Sequence, residues 1–145
     1  MAGTDLVRLL LESHRSLAAE LRASLEERGY PDARAAHAAI FMNIDRRSGT
    51  RLTDLARRAR MSKQGMMLIV DDLEARGYVR RVPDAEDARA KIVRLTARGR
   101  RYVAEARRAM AALETRARRE LGERRYEALR SSLDQLIGED EVADS

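Results

Sequence analysis

Cysteine is absent from this 145-residue chain, which excludes disulfide frameworks, cysteine-ligated zinc sites, cysteine nucleophiles and thiol redox sensing. Tryptophan is also absent, phenylalanine occurs once and tyrosine four times. The core must therefore be aliphatic, and a chain this poor in aromatics and rich in Leu, Ala and Arg favours helices. No apolar run approaches the roughly 20 residues needed to cross a bilayer, and no signal-peptide-like apolar stretch stands near the N-terminus. The expectation is a cytoplasmic protein with no membrane partner. Two histidines and no His/Asp/Glu cluster at ligand spacing give no reason to expect a metal or other cofactor. A Gly-rich phosphate loop, a zincin pair and a nucleophile elbow are likewise missing, so an enzyme is not expected. Asp71-Asp72 and Glu86-Asp87 are adjacent carboxylates, but sequence neighbours on a helix point apart, and the second pair lies in the connection between the two strand candidates.

What is present is charge, and its placement matters more than its total of +5. Residues 1–49 are balanced at a net of 0, residues 50–100 carry +6 and residues 101–145 carry −1. Both lysines, Lys63 and Lys91, fall in the basic middle third. A localised basic excess is the electrostatic footprint of a protein that binds a polyanion. Charge alone leaves open the plainer reading of a solvated, arginine-rich surface.

Hydrophobic spacing divides the chain into a long helix over 4–29, a helix over 32–46, a compact middle region and two terminal helices. In the first, Leu6, Leu10, Leu17, Leu21 and Leu25 form a stripe, with Thr4 as N-cap and Gly29-Tyr30-Pro31 as the stop. In the second, Asp32 is the expected cap and Ala36, Ala39, Ile40 and Ile44 the apolar side. From residue 50 a short strand, Thr50-Arg51-Leu52, leads to Thr53 capping a helix over 54–60. After a tight corner, Ser62 caps another helix to about Arg76, with Met66, Ile69, Val70 and Leu73 inward and Gly77 as the stop. Residues 78–82 and 91–95 alternate apolar and basic, as a two-stranded ribbon does. The polar connection 83–90 is long for a hairpin, which points to a loop with a function. Thr96 then caps a segment lined by Tyr102, Val103, Ala106, Met110 and Leu113. A last helix over 123–137 presents Tyr126, Leu129, Leu133 and Leu136, and 138–145 forms an acidic tail that is expected to fray.

Two short helices across a tight turn, followed by a ribbon, make a winged helix-turn-helix. The fold class expected is mainly α with a small β-wing: a DNA-binding lobe over 50–100 and a helical scaffold over 4–47 and 101–137, in one domain. Such a lobe suits double-stranded DNA, because a helix fits the major groove and its N-terminal side chains reach base edges. Lys63 can neutralise a phosphate or donate to guanine, and Gln64 can pair bidentately with adenine. Taken singly, both also read as solvated first-turn residues. The contact residues expected are Thr53, Ser62, Lys63, Gln64 and Met67 on the helices, with Arg81, Asp87, Arg89 and Lys91 on the ribbon. The leucine stripes of the terminal helices exceed what one small lobe can cover. Two-fold association would bury them and set two reading helices about one DNA turn apart; packing within one chain is the other outcome.

From Leu52 to Gly99 the residues carry a family resemblance. L-T-D-L-A (52–56), M-S-K-Q (61–64), L-E-A-R-G-Y-V (73–79) and P-D-A-E-D-A-R-A-K-I-V-R-L-T-A-R-G (83–99) resemble the MarR family of bacterial regulators. The resemblance implies a homodimer with interlocked terminal helices and two winged lobes on a pseudo-palindromic operator. It implies that Arg89 enters the minor groove, oriented by an ion pair with Asp87. It also implies a regulator, most often a repressor, released by a small-molecule effector bound between scaffold and lobe. His14, Arg15, Tyr30 and His37 are the mixed polar and aromatic candidates for that site.

Four residues depart from the pattern. Arg60 stands where a helix-turn-helix corner often has glycine, Gly65 lies inside the reading helix, and Met67 and Leu68 replace polar side chains there. Met67 is therefore expected to contact thymine methyls. The rival from another class is a helical adaptor that binds a protein partner through its leucine stripes and has a degenerate DNA lobe.

Overall fold

The computed structural model of the chain describes residues 5–32 and 34–138. Helix α1 spans Leu6–Glu27 and is capped by Asp5, whose side chain accepts the Arg8 N–H at 2.8 Å. The expected cap, Thr4, lies outside the described residues, as does the tail over 139–145. After α1 come a 3₁₀ turn (Ala35–His37), α2 (Ala38–Phe41), β1 (Thr50–Arg51), α3 (Leu52–Arg58) and α4 (Lys63–Ala75). Strands β2 (Val79–Pro83) and β3 (Lys91–Leu95) follow, then α5 (Ala97–Leu121) and α6 (Glu123–Ile137). The three strands form one antiparallel sheet in the order β1-β3-β2, with Val79 opposite Leu95 and Pro83 opposite Lys91.

The helix expected over 32–46 is a correction: only the 3₁₀ turn and four residues of α2 are helical. Side chains take the backbone elsewhere. Asp32 does not cap; its carboxylate accepts the Tyr78 hydroxyl at 2.6 Å and faces Arg76 at 3.5 Å. Beyond α2, the Asn43 side chain donates to the Ala39 carbonyl, and Asp45 accepts the backbone N–H groups of Arg47 and Ser48. Asn and Asp compete with helix continuation in this way. A second correction concerns Thr53. Helix α3 starts directly after β1, at Leu52, with Arg51 at the cap position and no side-chain capping bond. Thr53 lies in the first turn.

The corner between α3 and α4 turns through Arg60, at φ 53° the one non-glycine residue of positive φ among the described residues. A left-handed arginine costs roughly 1–2 kcal/mol. That conformation lets the Met61 N–H reach the Ala56 carbonyl at 2.9 Å and close the turn.

The chain divides into two compact units within α5, Met1–Arg108 and Ala109–Ser145. In the first, Leu55, Met66, Val70, Leu73, Val93 and Ile40 are fully buried, joined by Leu25 near the end of α1 and by Tyr102 and Val103 of α5. Each such side chain stabilises the fold by roughly 1.5–3 kcal/mol. Leu6, Leu10 and Leu17 of the same α1 stripe stay exposed, because only its C-terminal end meets this core. In the second unit Tyr126 is buried, with the Arg118 guanidinium 4.2 Å from its ring centroid, while Leu129 and Leu136 are exposed. In the part of α5 that belongs to this unit, Ala109 is buried, whereas Met110, expected inward, is exposed.

Candidate nucleic-acid interface

Sequence dictates the reading helix at its first turn. Ser62 caps α4 by accepting the Gly65 N–H at 3.0 Å, which leaves Lys63 and Gln64 exposed on the opening turn. Met67 and Leu68 follow on the outer side, 42% and 66% exposed, while Met66 and Val70 hold the inner side in the core.

The ribbon's loop is organised by its own acids. Asp87 Oδ1 accepts the Arg89 N–H at 3.0 Å and lies 3.6 Å from the Arg89 Nε. The Ala90 N–H reaches the Asp87 carbonyl, and the Asp84 N–H closes the loop onto the Ala90 carbonyl. Arg89 is left 96% exposed at the side chain, a cation projecting from a small, hydrogen-bonded loop. Asp84 anchors the loop's base. It is buried, accepts the Glu86 N–H at 3.0 Å, and holds Arg51 of β1 at 2.6 Å. The backbone N–H of Glu86 and then the Arg51 guanidinium, acting against burial, keep the Asp84 carboxyl below its ordinary range.

Helix and ribbon meet across a groove of about 220 Å³. Thr53 and Lys63 line the helix side with Met67, and Arg81, Arg89 and Lys91 line the ribbon side. Six of the nine residues expected to contact DNA thus converge. Gln64 stands exposed on the same first turn as Lys63, and Ser62 and Asp87 act locally on backbone N–H groups. Arg81 is only 22% exposed at the side chain and is held on every side: its N–H and Nη1 donate to Glu74, and its Nη2 reaches the Met67 carbonyl and Asp71. Sequence reasoning missed Arg51, Asp84, Asp71 and Glu74. Their partners lie between 7 and 33 residues away, where no local pattern links them.

The residues expected to bind an effector are not brought together. His14 and Arg15 are exposed on α1. His37 is 3% exposed; its Nε2 lies 2.7 Å from Asp72 Oδ2, and its Nδ1 accepts the Arg34 N–H. Tyr30 belongs to a cluster with Phe41, Tyr78 and Tyr102, whose ring centroids lie 4.5–6.3 Å apart. Four of the chain's five aromatics thus gather in one place. Burial there pushes the Tyr102 hydroxyl up to about 12 and raises Tyr78, to which the Asp32 carboxylate also contributes. Among the described residues, no group of three His, Asp or Glu is placed to hold a metal. No helix among them is long and apolar enough to cross a membrane.

Residues 28–90 match the model of the MarR family. Among curated proteins, none matches the chain in sequence. Solved structures share the fold. The transcriptional repressor CouR bound to a 23-mer DNA duplex superposes with a TM-score of 0.78 at 23% identity, over 92% of each chain. CouR from Rhodococcus jostii RHA1 bound to p-coumaroyl-CoA gives 0.72 at 21% identity over 93% of each. A probable transcriptional regulator from Pseudomonas aeruginosa gives 0.75 at 21% identity, covering 91% of this chain and 96% of that one.

Proposed function

From the match of residues 28–90 to the MarR family model, we propose that the chain is a MarR-family, sequence-specific DNA-binding transcriptional repressor. It acts as a cytoplasmic homodimer on a pseudo-palindromic operator and is released by a small-molecule effector; it is not an enzyme. The observation that carries this reading is the basic groove, in which Lys63 of the reading helix faces Arg89 and Lys91 of the ribbon. A helix and a wing set side by side engage the major groove and the adjacent minor groove of one duplex. An exposed arginine on a compact loop suits the strong negative potential of a narrow, A·T-rich minor groove. That a protein of this fold binds a DNA duplex supports the reading. The p-coumaroyl-CoA complex of a similar protein supports the effector. Uncovered leucines on α1 and α6 support the homodimer, since an apolar stripe left in water favours association.

Affinity for operator DNA, selected from genomic fragments and measured against salt, tests the reading. A regulator with six to ten phosphate contacts loses roughly 10³–10⁵ in affinity between about 50 and 200 mM salt. No salt dependence would instead favour the adaptor. Arg89→Ala is expected to weaken binding by about 1–3 kcal/mol and to relax preference at A·T steps. An unchanged affinity would remove the wing from the mechanism. Met67 is assigned to thymine methyls: Met67→Ser loses affinity on thymine operators, and equal losses on thymine and uracil operators would refute that role. Sedimentation that finds a stable monomer at micromolar concentration would refute the dimer.

A further inference from the structure

Arg81 is the most heavily engaged side chain of the ribbon, and all of its partners are on α4. Its backbone N–H donates to Glu74 Oε2 at 2.8 Å and its Nη1 to Glu74 Oε1 at 3.0 Å. Its Nη2 pairs with Asp71 and lies 3.4 Å from the Met67 carbonyl. Glu74 and Asp71 both sit on α4, so one residue of β2 grips three positions of the reading helix spanning Met67 to Glu74. Directly across the sheet from Arg81 is Val93 of β3, whose strand starts at Lys91 at the end of the wing loop. A guanidinium suits this task because its planar fork of five donors can satisfy several acceptors in fixed geometry, which an ammonium cannot.

We propose that Arg81 is a positioning residue for DNA binding, a brace that locks the reading helix to the wing so that both insert as one rigid body. The inference rests on the DNA-binding reading above. It assigns Arg81 a role other than touching phosphate, and it gives two acids on a DNA-facing helix a purpose. Asp71 and Glu74 would repel phosphate if free. Arg81 offsets one of their two charges and holds both carboxylates in place, which sets the angle of the helix.

The sign of one charge change separates the alternatives. Glu74→Gln removes a negative charge near the interface, so simple electrostatics makes it bind DNA more tightly. The brace makes it bind more weakly, by several-fold at fixed salt, although Arg81 is intact. Arg81→Ala and Arg81→Lys are expected to weaken binding alike, by tenfold or more, because lysine keeps the charge but loses the fork. The slope of affinity against salt should stay as in the unsubstituted protein, whereas loss of a phosphate contact lowers its magnitude by about 0.9. The penalty of Arg89→Ala should shrink several-fold in the Arg81→Ala background, since an unbraced wing no longer presents Arg89. Thermal melts of each variant establish that it is folded, and Glu74→Gln serves if Arg81→Ala does not fold. Tighter binding by Glu74→Gln, full retention by Arg81→Lys, or a slope lowered by about one unit would each overturn the brace. If the unsubstituted protein shows no salt-dependent DNA binding, the functional reading fails and the brace with it.

Discussion

Gly99 sits in the first turn of α5, where the chain leaves the sheet. A Cβ placed on it would lie 2.0 Å from the Tyr78 carbonyl oxygen, 3.1 Å from the Tyr78 carbonyl carbon and 3.2 Å from Leu95 Cδ2. The Tyr78 carbonyl cannot step aside, because it accepts both the Thr96 N–H at 3.0 Å and the Thr96 hydroxyl at 3.1 Å. Gly99→Ala must therefore move backbone, either the start of α5 or the start of β2. Overpacking of this kind costs about 1–3 kcal/mol. Losing the two Thr96 bonds adds about 1 kcal/mol each, and the better helix propensity of alanine returns about 1 kcal/mol. The net loss is about 2–4 kcal/mol. At roughly 2–4 °C per kcal/mol for a chain of this size, the midpoint should fall by about 10 °C. Thermal and urea denaturation followed by circular dichroism measure this directly. A midpoint within about 2 °C of the unsubstituted protein would mean that the close approach of α5 to Tyr78 is not a constraint.

The same substitution at Gly65 should behave differently. There a Cβ meets the Ser62 Oγ at 3.1 Å and Met61 Cε at 3.5 Å, both side-chain atoms. Gly65→Ala should leave stability within about 1 kcal/mol of the unsubstituted protein, with propensity offsetting the crowded cap. A loss as large as that at Gly99 in the same denaturation series would refute the distinction. Asp84→Ala should destabilise by about 1–2 kcal/mol at neutral pH, since it orphans the Glu86 N–H and frees Arg51. The folded Asp84 carboxyl lies below its ordinary range, so its contribution is complete above the unfolded value of about 3.9 and is lost as pH falls through the lower folded value. Urea titrations of both proteins from neutral pH down to about pH 2 should therefore converge at the acid end. A difference that persists there would assign the effect to packing instead.

Local chemistry explains which elements the sequence made legible. Ser62 needs only Gly65, three residues on, to cap α4, so this helix start is readable from a serine followed by an apolar period. Alternation in 78–82 and 91–95 marks the ribbon for the same reason: each residue's face follows from its neighbours. Asp87 and Arg89 are two apart, and their contact is fixed by the loop between them. The family resemblance lay in these local stretches. The helix expected over 32–46 failed because its apolar period was real but its polar residues had distant claims, Asp32 on Tyr78 and His37 on Asp72.

The sequence by itself determined a helical chain with a basic, winged middle third and apolar stripes on its terminal helices, because those properties depend on composition and on spacings of two to four residues. Only the tertiary structure decided how the side chains are used. It turned Arg81 inward against Asp71 and Glu74, sealed Asp84 against Arg51, and gathered Tyr30, Phe41, Tyr78 and Tyr102 into one cluster. These pairings join residues from 7 to 72 positions apart. Which partner an arginine finds over such distances is set by how helix, sheet and loop pack, and no local period encodes it.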